Sequence, residues 1–306
     1  MKKFLLWLVI GISLIFIYLY RVDVIEFIYT QYIVSKDITI TTSNEYAKES
    51  NFLPMKKTDD FFPENKQDII DIFYTVIDSG VDSFSFYCLD KYKTCTDDVE
   101  AVATNTALSS AINNYVHPYN SYSILNISFN DLGRVTLSIN KLYTKTEIEY
   151  INNQVEQIIN KIITKDMSTL GQIKAFHDYI IEYTDYDDKR ATEIKSNINN
   201  KDNISHKANG LLSNRLAICG GYTDIMSIFL NRVNLPNIKI STSDHIWNLV
   251  YLDNNWYHLD LTWDDPVLTS NRDIVIHEFF LITTKELEDK NTNKHNYKKD
   301  LYLEAN

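Results

Sequence analysis

The chain has 306 residues, 44% of them hydrophobic, enough to bury a sizeable core and to divide into two domains. Its 30 Lys and Arg stand against 41 Asp and Glu, a formal net charge of −11 with no basic stripe. General nucleic-acid binding is excluded on that ground, since phosphate contacts need clustered cations, and the acidity reads as solubility.

From Phe4 to Tyr20 the chain is apolar and uncharged, with Lys2 and Lys3 before the run and Arg21 after it. A helix over this run spans about 25 Å, slightly less than the roughly 30 Å hydrocarbon core, and the flanking cations can snorkel. A cleaved signal peptide is the rival reading, but it needs small residues at its cleavage site, and the first alanine is Ala47. Residues 1–21 are therefore read as a single-pass anchor, with the N-terminus cytoplasmic and the bulk of the chain extracellular. Residues 22–58 show no sustained period and read as a stalk, with at most one short strand at Ile38 to Thr41.

Residues 59–165 read as a small α/β domain. Ile69, Ile70, Phe73, Val76 and Ile77 suit a helix, Phe84, Phe86 and Cys88 alternate as a strand, and a helix is expected from about Val99 to Tyr115. Leu125, Ile127 and Phe129 alternate, Asn130 to Gly133 turns the chain, and Val135, Leu137 and Ile139 alternate on the way back, a hairpin. Ile148, Ile151, Val155, Ile158, Ile159 and Ile162 predict a long amphipathic helix. Nothing in this module supplies chemistry, so it reads as a spacer or a substrate-docking domain. Cys88 and Cys95 are close enough to pair outside the cell, which would leave Cys219 as a free thiol; two unpaired thiols are the alternative. No cysteine pair has close zinc-ligand spacing, so neither a metal nor a cofactor is expected.

Residues 166–306 carry the chemistry. Ile173 to Tyr183 suits a helix, and the Asn-rich stretch from Asn197 to Asn203 reads as a surface loop. After Cys219, apolar residues from Tyr222 to Val233 recur at steps of three and four, which places the cysteine at a helix N-terminus, where free N–H groups and the dipole favour a thiolate. Gly220 and Gly221 are expected to leave room for a substrate backbone. His245 to Leu252 reads as a buried strand, Asp253 to Asn255 as a turn, and Trp256 to Leu261 as the returning strand carrying Asp260. A two-residue turn at Asp253-Asn254 sets Asp260 opposite Trp247 and diagonal to His245; a three-residue turn sets it on the wrong face unless a bulge intervenes. Cys219, His245 and Asp260 supply a thiol nucleophile, its base and an orienting carboxylate.

Cys219-Gly220-Gly221-Tyr222, His245-Ile246-Trp247-Asn248 and Trp256-Tyr257-His258-Leu259-Asp260-Leu261-Thr262-Trp263-Asp264-Asp265-Pro266 resemble the motifs of the transglutaminase-like superfamily. The resemblance extends upstream to Ile173 through Ile180 and downstream to Phe279 through Ile282, roughly the last 140 residues, an ordinary domain size. Arg215 stands where bacterial members often have glycine, and Asn209 where an aromatic residue is common. The resemblance implies an α+β chain: a papain-like transglutaminase core, here preceded by the small α/β domain and the N-terminal transmembrane helix. It implies Cys219, His245 and Asp260 as the catalytic triad, with Gly220, Gly221 and Trp247 at the substrate. Trp263 joins Trp247 as a cleft wall, His258 supports Asp260, and His177 is structural. Asp264 and Asp265 shape a turn before Pro266. His117, His206, His277 and His295 carry no motif. The chemistry implied is acyl transfer from a peptide or glutamine carboxamide, with cell-wall peptides or surface proteins as substrates and hydrolysis slightly favoured over amine transfer. The competing class is a non-catalytic surface module that keeps the fold.

Overall fold

The computed structural model describes residues 2–20, 39–40, 42–48, 52, 54–89, 91–196, 203–266 and 275–306. Ile38 and Thr41 of the expected short strand, and 197–202 of the Asn-rich stretch, lie outside the described residues.

Helix α1 is Lys2–Leu19. After it come α2 (Lys66–Ser79), β1 (Ser83–Tyr87), α3 (Cys95–Thr104), α4 (Thr106–Tyr115), β2 (Tyr122–Phe129), β3 (Arg134–Lys141), α5 (Lys145–Ile162) and α6 (Thr169–Tyr183). The C-terminal part continues with β4 (Asp185–Tyr186), α7 (Asp188–Lys195), α8 (Ala208–Asn214), β5 (Leu216–Ala217), α9 (Cys219–Arg232), β6 (Asn237–Ser241), β7 (Ile246–Leu252), β8 (Asn255–Leu259), α10 (Leu261–Asp264), β9 (Phe280–Ile282) and α11 (Thr284–Asp289). The chain is thus mixed helix and sheet, as expected. Capping explains several boundaries. Asn65 with Asp68, and Thr144 with Glu147, form capping boxes that start α2 and α5, and Gly80 at φ 77° closes α2 in the left-handed region. The single helix expected from Val99 to Tyr115 is two, because the Asn105 side chain accepts from the Leu108 N–H and starts α4 afresh.

The strands form an antiparallel sheet in the order β1-β3-β2, a short parallel pair β4-β5, and an antiparallel sheet β6-β7-β8-β9. Strand β7 is buried on both faces. Trp247 and Leu249 enter one apolar cluster with α2, β1, β3 and Ile238, while Val250 and Leu252 enter a second with α5, α6 and α9, among them Ile173, Phe176, Ile225 and Phe229. That double burial is why its sequence is a near-continuous apolar run.

Neither cluster stops at residue 165. The first joins residues 52–139 to 238–305, so the N-terminal module and the strands after Pro236 share one core. Part of the segment read as a stalk is a correction: Phe52 and Met55 are buried, and Lys48 Nζ donates to the Asn237 carbonyl at 2.6 Å. These side chains are too apolar, and that lysine too enclosed, for a free tether. Helix α1 forms where the apolar run predicts one, and Trp7, Ile12, Leu14 and Phe16 on it are exposed. Among the described residues, however, no helix is long and apolar enough to cross a membrane, and 18 residues amount to about 27 Å. Cys88 and Cys95 are joined by a disulfide with Cα atoms 5.5 Å apart, and Cys219 is free.

Candidate active site

Cys219 is the first residue of α9, with Ile218 at the N-cap offering no side-chain acceptor, so no capping side chain covers the start of the helix. The start of α9 is locked from behind. Ile218 N–H donates to the Ser205 carbonyl at 2.9 Å, Ser205 Oγ bonds the Asp187 carboxylate, and the Asp187 N–H donates to the Ala217 carbonyl at 2.9 Å. A Cβ on Gly220 would lie 2.8 Å from the His206 carbonyl oxygen, and one on Gly221 2.5 Å from that of Ser205. These glycines therefore admit the chain's own 205–206 backbone rather than a substrate, which corrects the role expected for them.

Helix α9 is tied to β7 through polar groups: Thr223 Oγ1 donates to the Ile246 carbonyl at 2.9 Å, and Asn248 Nδ2 donates to the Thr223 carbonyl at 3.1 Å and Ser227 Oγ at 2.8 Å. Deeper along α9, Asp224 pairs with Lys239 of β6 at 2.9 Å and accepts from Tyr143 Oη at 2.7 Å, all buried. These bonds set the distance between the thiol and the residues at the start of β7.

The turn between β7 and β8 has two residues, Asp253 and Asn254, at φ 49° and 68°. Two successive left-handed residues twist with the strands, and Leu252 pairs with Asn255 and Asn248 with Leu259. Asp260 then follows on the face that it shares with His245, the two-residue outcome of the alternatives above.

His245 Nε2 and Asp260 Oδ2 are 2.5 Å apart, and the Cys219 side chain lies close enough to the ring to act on its pKa. Burial pushes the imidazole pKa down, but the Asp260 charge and hydrogen bond, aided by Cys219, outweigh it and raise the pKa to about 10. Burial pushes Asp260 up, yet the charge and hydrogen bond of His245 and the hydrogen bond from His295 hold it at about 2. The buried pair is thus an imidazolium beside a carboxylate at neutral pH. Asp260 Oδ1 accepts the Thr262 and Trp263 N–H groups at 3.0 and 3.4 Å, fixing the carboxylate plane. Tyr186 lies near the thiol, and burial together with Cys219 raises its phenol pKa.

His295, which carries no motif, is the residue sequence reasoning did not reach. Its Nε2 is 2.8 Å from Asp260 Oδ2 and its Nδ1 2.6 Å from Thr292 Oγ1, while its ring stacks on Phe279 at 5.2 Å. Trp247 is only 1% exposed; it stacks on the His245 ring at 5.6 Å and donates Nε1–H to His258 Nδ1 at 3.0 Å. It holds the imidazole from behind and cannot touch a substrate, which corrects its expected role. Burial, with the charge of His295, drops His258 to about 3, a neutral ring that accepts from Trp247 and contacts Thr284 Oγ1 at 3.2 Å. It supports Trp247 rather than Asp260. Half-buried Trp263 is edge-on to His245 at 6.4 Å.

Asp265 accepts from Tyr222 Oη, and buried Asp264 accepts the Phe279 N–H at 2.9 Å, so both shape the turn after β8 as expected. His177 is fully buried on α6, with Nε2 3.2 Å from Asp264 Oδ2. Arg215 sits at φ 57°, the left-handed C-cap of α8, the conformation glycine adopts without strain. Its guanidinium lies 4.6 Å from the Tyr183 ring, and Nε donates to the Tyr183 carbonyl at 2.9 Å.

No family model matches the chain. It is similar to the kyphoscoliosis peptidase of Mus musculus, 21% identical over 152 residues, and to that of Homo sapiens, 22% identical over 151. These matches cover 44% and 42% of this chain but only 22% and 21% of the relatives, so the chain spans about a fifth of their length. Among solved structures, a TGase aligns with 50% of this chain and 47% of its own at 15% identity and a TM-score of 0.34. A candidate cysteine protease from Cytophaga hutchinsonii aligns with 45% and 61% at 10% identity and a TM-score of 0.28. Overlaps this partial carry no weight for the fold. The three motifs carry a likeness to the transglutaminase-like superfamily, and the relatives matched over less than half of this chain are named as peptidases.

Proposed function

We propose that the chain is a thiol acyl-transfer enzyme in which Cys219 attacks a peptide or glutamine carboxamide carbonyl. The observation that carries the reading is the His245–Asp260 pair, 2.5 Å apart and buried, with Cys219 at the N-terminus of α9 close enough to act on the same imidazole. In acylation the Cys219 sulfur bonds to the carbonyl carbon, His245 gives its proton to the departing amine, and the Cys219 N–H is placed to donate to the developing oxyanion. In deacylation the ring takes a proton from the acceptor, which attacks the thioester carbon as the bond to the Cys219 sulfur breaks and frees it, and Asp260 holds the ring oriented throughout. Water as acceptor gives a peptidase or amidase, an amine gives a transglutaminase. Hydrolysis is favoured, because preferring an amine needs water to be shielded from the cleft and no residue described here supplies that shield.

The setting we propose is extracellular, with the run from Phe4 to Tyr20 as anchor and cell-wall peptides or surface proteins as substrates. The Cys88–Cys95 disulfide supports an oxidising compartment, and the exposed apolar side chains of α1 support a covering by lipid.

Iodoacetamide should alkylate Cys219 faster than a model thiol at mildly acidic pH, and His245→Ala should remove the advantage. With peptides and glutamine-bearing proteins, release of shorter peptides identifies a hydrolase, and incorporation of a labelled amine a transglutaminase. Ordinary reactivity of Cys219, with Cys219→Ala changing no activity, would replace the enzyme by a non-catalytic surface module.

A further inference from the structure

A second cluster of histidine and carboxylate meets α10 at Asp264, the opposite end from the triad's Asp260. His177 Nδ1 is 2.9 Å from Asp178 Oδ1, and His277 Nε2 is 2.7 Å from the same oxygen. One donor atom from each of the three residues falls within a sphere where all lie inside 4.8 Å of one another. The two rings are 5.0 Å apart and Phe280 packs edge-on against both, at 5.0 and 5.4 Å.

With both imidazoles neutral, the hydrogen bonding of this cluster does not close on itself. A neutral imidazole has one N–H, yet His177 faces a carboxylate on each side, Asp178 at Nδ1 and buried Asp264 at Nε2, 3.2 Å away. His277 Nε2 must offer a hydrogen to Asp178 and a lone pair to the Lys174 ammonium 3.0 Å away, which one nitrogen cannot do at once. Lone pairs from three directions meet at one point, and a cation there satisfies them all. Lys174 already brings positive charge to it, bonding Asp178 and reaching His277, but its side chain is half-exposed and free to swing out.

We propose that His177 Nδ1, Asp178 Oδ1 and His277 Nε2 form a site for a divalent transition metal of the zinc class, with water as the fourth ligand. Ligand bonds of about 2.0–2.2 Å in a tetrahedron put the donors about 3.3–3.6 Å apart, so Asp178 and His277, both partly exposed, need to open by roughly half an ångström or slightly more. The His177 proton then sits on Nε2 and goes to Asp264, the carboxylate that a metal-bound histidine ordinarily finds behind it. Asp264 in turn accepts the Phe279 N–H, and the Phe279 carbonyl accepts the Asp260 N–H at 3.1 Å. The metal would clamp α6 to the chain segment that seats the catalytic carboxylate, a structural role separate from the acyl transfer proposed above.

The full chain carrying Cys219→Ser, which removes the competing thiol, is titrated with Co(II) and followed by its visible d–d absorption. One equivalent should bind with a tetrahedral spectrum and be displaced by Zn(II), and Zn(II) should raise the Tm. His277→Ala and Asp178→Ala, at partly exposed positions that should still fold, are each expected to weaken binding by at least tenfold and abolish the Tm shift. Asp264→Asn should weaken it by about 10–100-fold through the His177 proton. Lys174→Ala should tighten it by removing the resident ammonium. His295→Ala should leave it unchanged, which separates this cluster from the His245, Asp260 and His295 group. A chain that gives no tetrahedral cobalt spectrum, or binding indifferent to both His277→Ala and Asp178→Ala, overturns the proposal, whatever the outcome of the alkylation test.

Discussion

Two buried imidazoles converge on one oxygen of Asp260, and this explains why the carboxylate stays ionised in a buried place: burial alone would neutralise it. Folding raises His245 from 6.5 to about 10, so its stabilisation is complete below pH 6.5 and lost as pH rises through 10. Folding lowers Asp260 from 3.8 to about 2, so its share is complete above pH 3.8 and lost as pH falls through 2. Asp260→Asn should therefore lose stability most between these ranges, around pH 4–6.5, and less toward pH 10, as read by urea midpoints across pH. The same variant should move the alkaline limb of turnover down from about 10 toward the ordinary imidazole range, with kcat lower by about 10²–10⁴-fold. Cys219, His245 and Asp260 were each legible because each stands inside its own motif. His295 was not, since it sits on a short 3-10 turn 35 residues beyond Asp260 and meets it only through tertiary packing. Trp247 was misread because an aromatic beside a catalytic histidine in sequence looks the same whether it faces the cleft or the core.

At the level of elements, the parity of the β7–β8 turn decides the site. Deletion of Asn254 leaves a two-residue turn only if Leu252 pairs with Trp256, which would put Asp260 opposite Asn248, on the wrong face, and Cys219 alkylation should fall to the rate of Asp260→Asn. Two residues inserted between Asp253 and Asn254 keep the parity and should leave the rate near that of the natural chain. Comparing the two by alkylation kinetics checks the claim. Long amphipathic helices and the two hairpins were readable because period and turn chemistry agree there. Strand β6 was not, because its alternation has only two apolar members, Ile238 and Ile240, and the lysine between them is buried against an aspartate on another element. The break at Asn105 was hidden because the apolar spacing runs on across it.

For the whole molecule, the Lys239–Asp224 pair joins the helix of the nucleophile to the sheet of the base, with Ser121 from the N-terminal module within 3.2 Å of the same ammonium. Asp224→Ala leaves that ammonium buried without its carboxylate and should cost about 3–5 kcal/mol in urea unfolding. The double change Asp224→Leu with Lys239→Met should recover much of the loss, since a well-packed apolar pair substitutes for a buried ionic one. The division of the chain into a docking module and a catalytic domain followed composition and motif; a core built from both halves cannot be seen in either alone.

That joint core bears on how the protein is made. As the chain leaves the ribosome, residues 52–139 emerge with Phe73, Phe86, Val135 and Leu137 committed to a cluster whose remaining members, Ile238, Ile240 and Leu249, are encoded roughly a hundred residues later. At about 5–20 residues per second, the first half waits on the order of 5–20 s for its partners, an interval in which a nascent chain depends on chaperones or on the translocation channel to stay soluble.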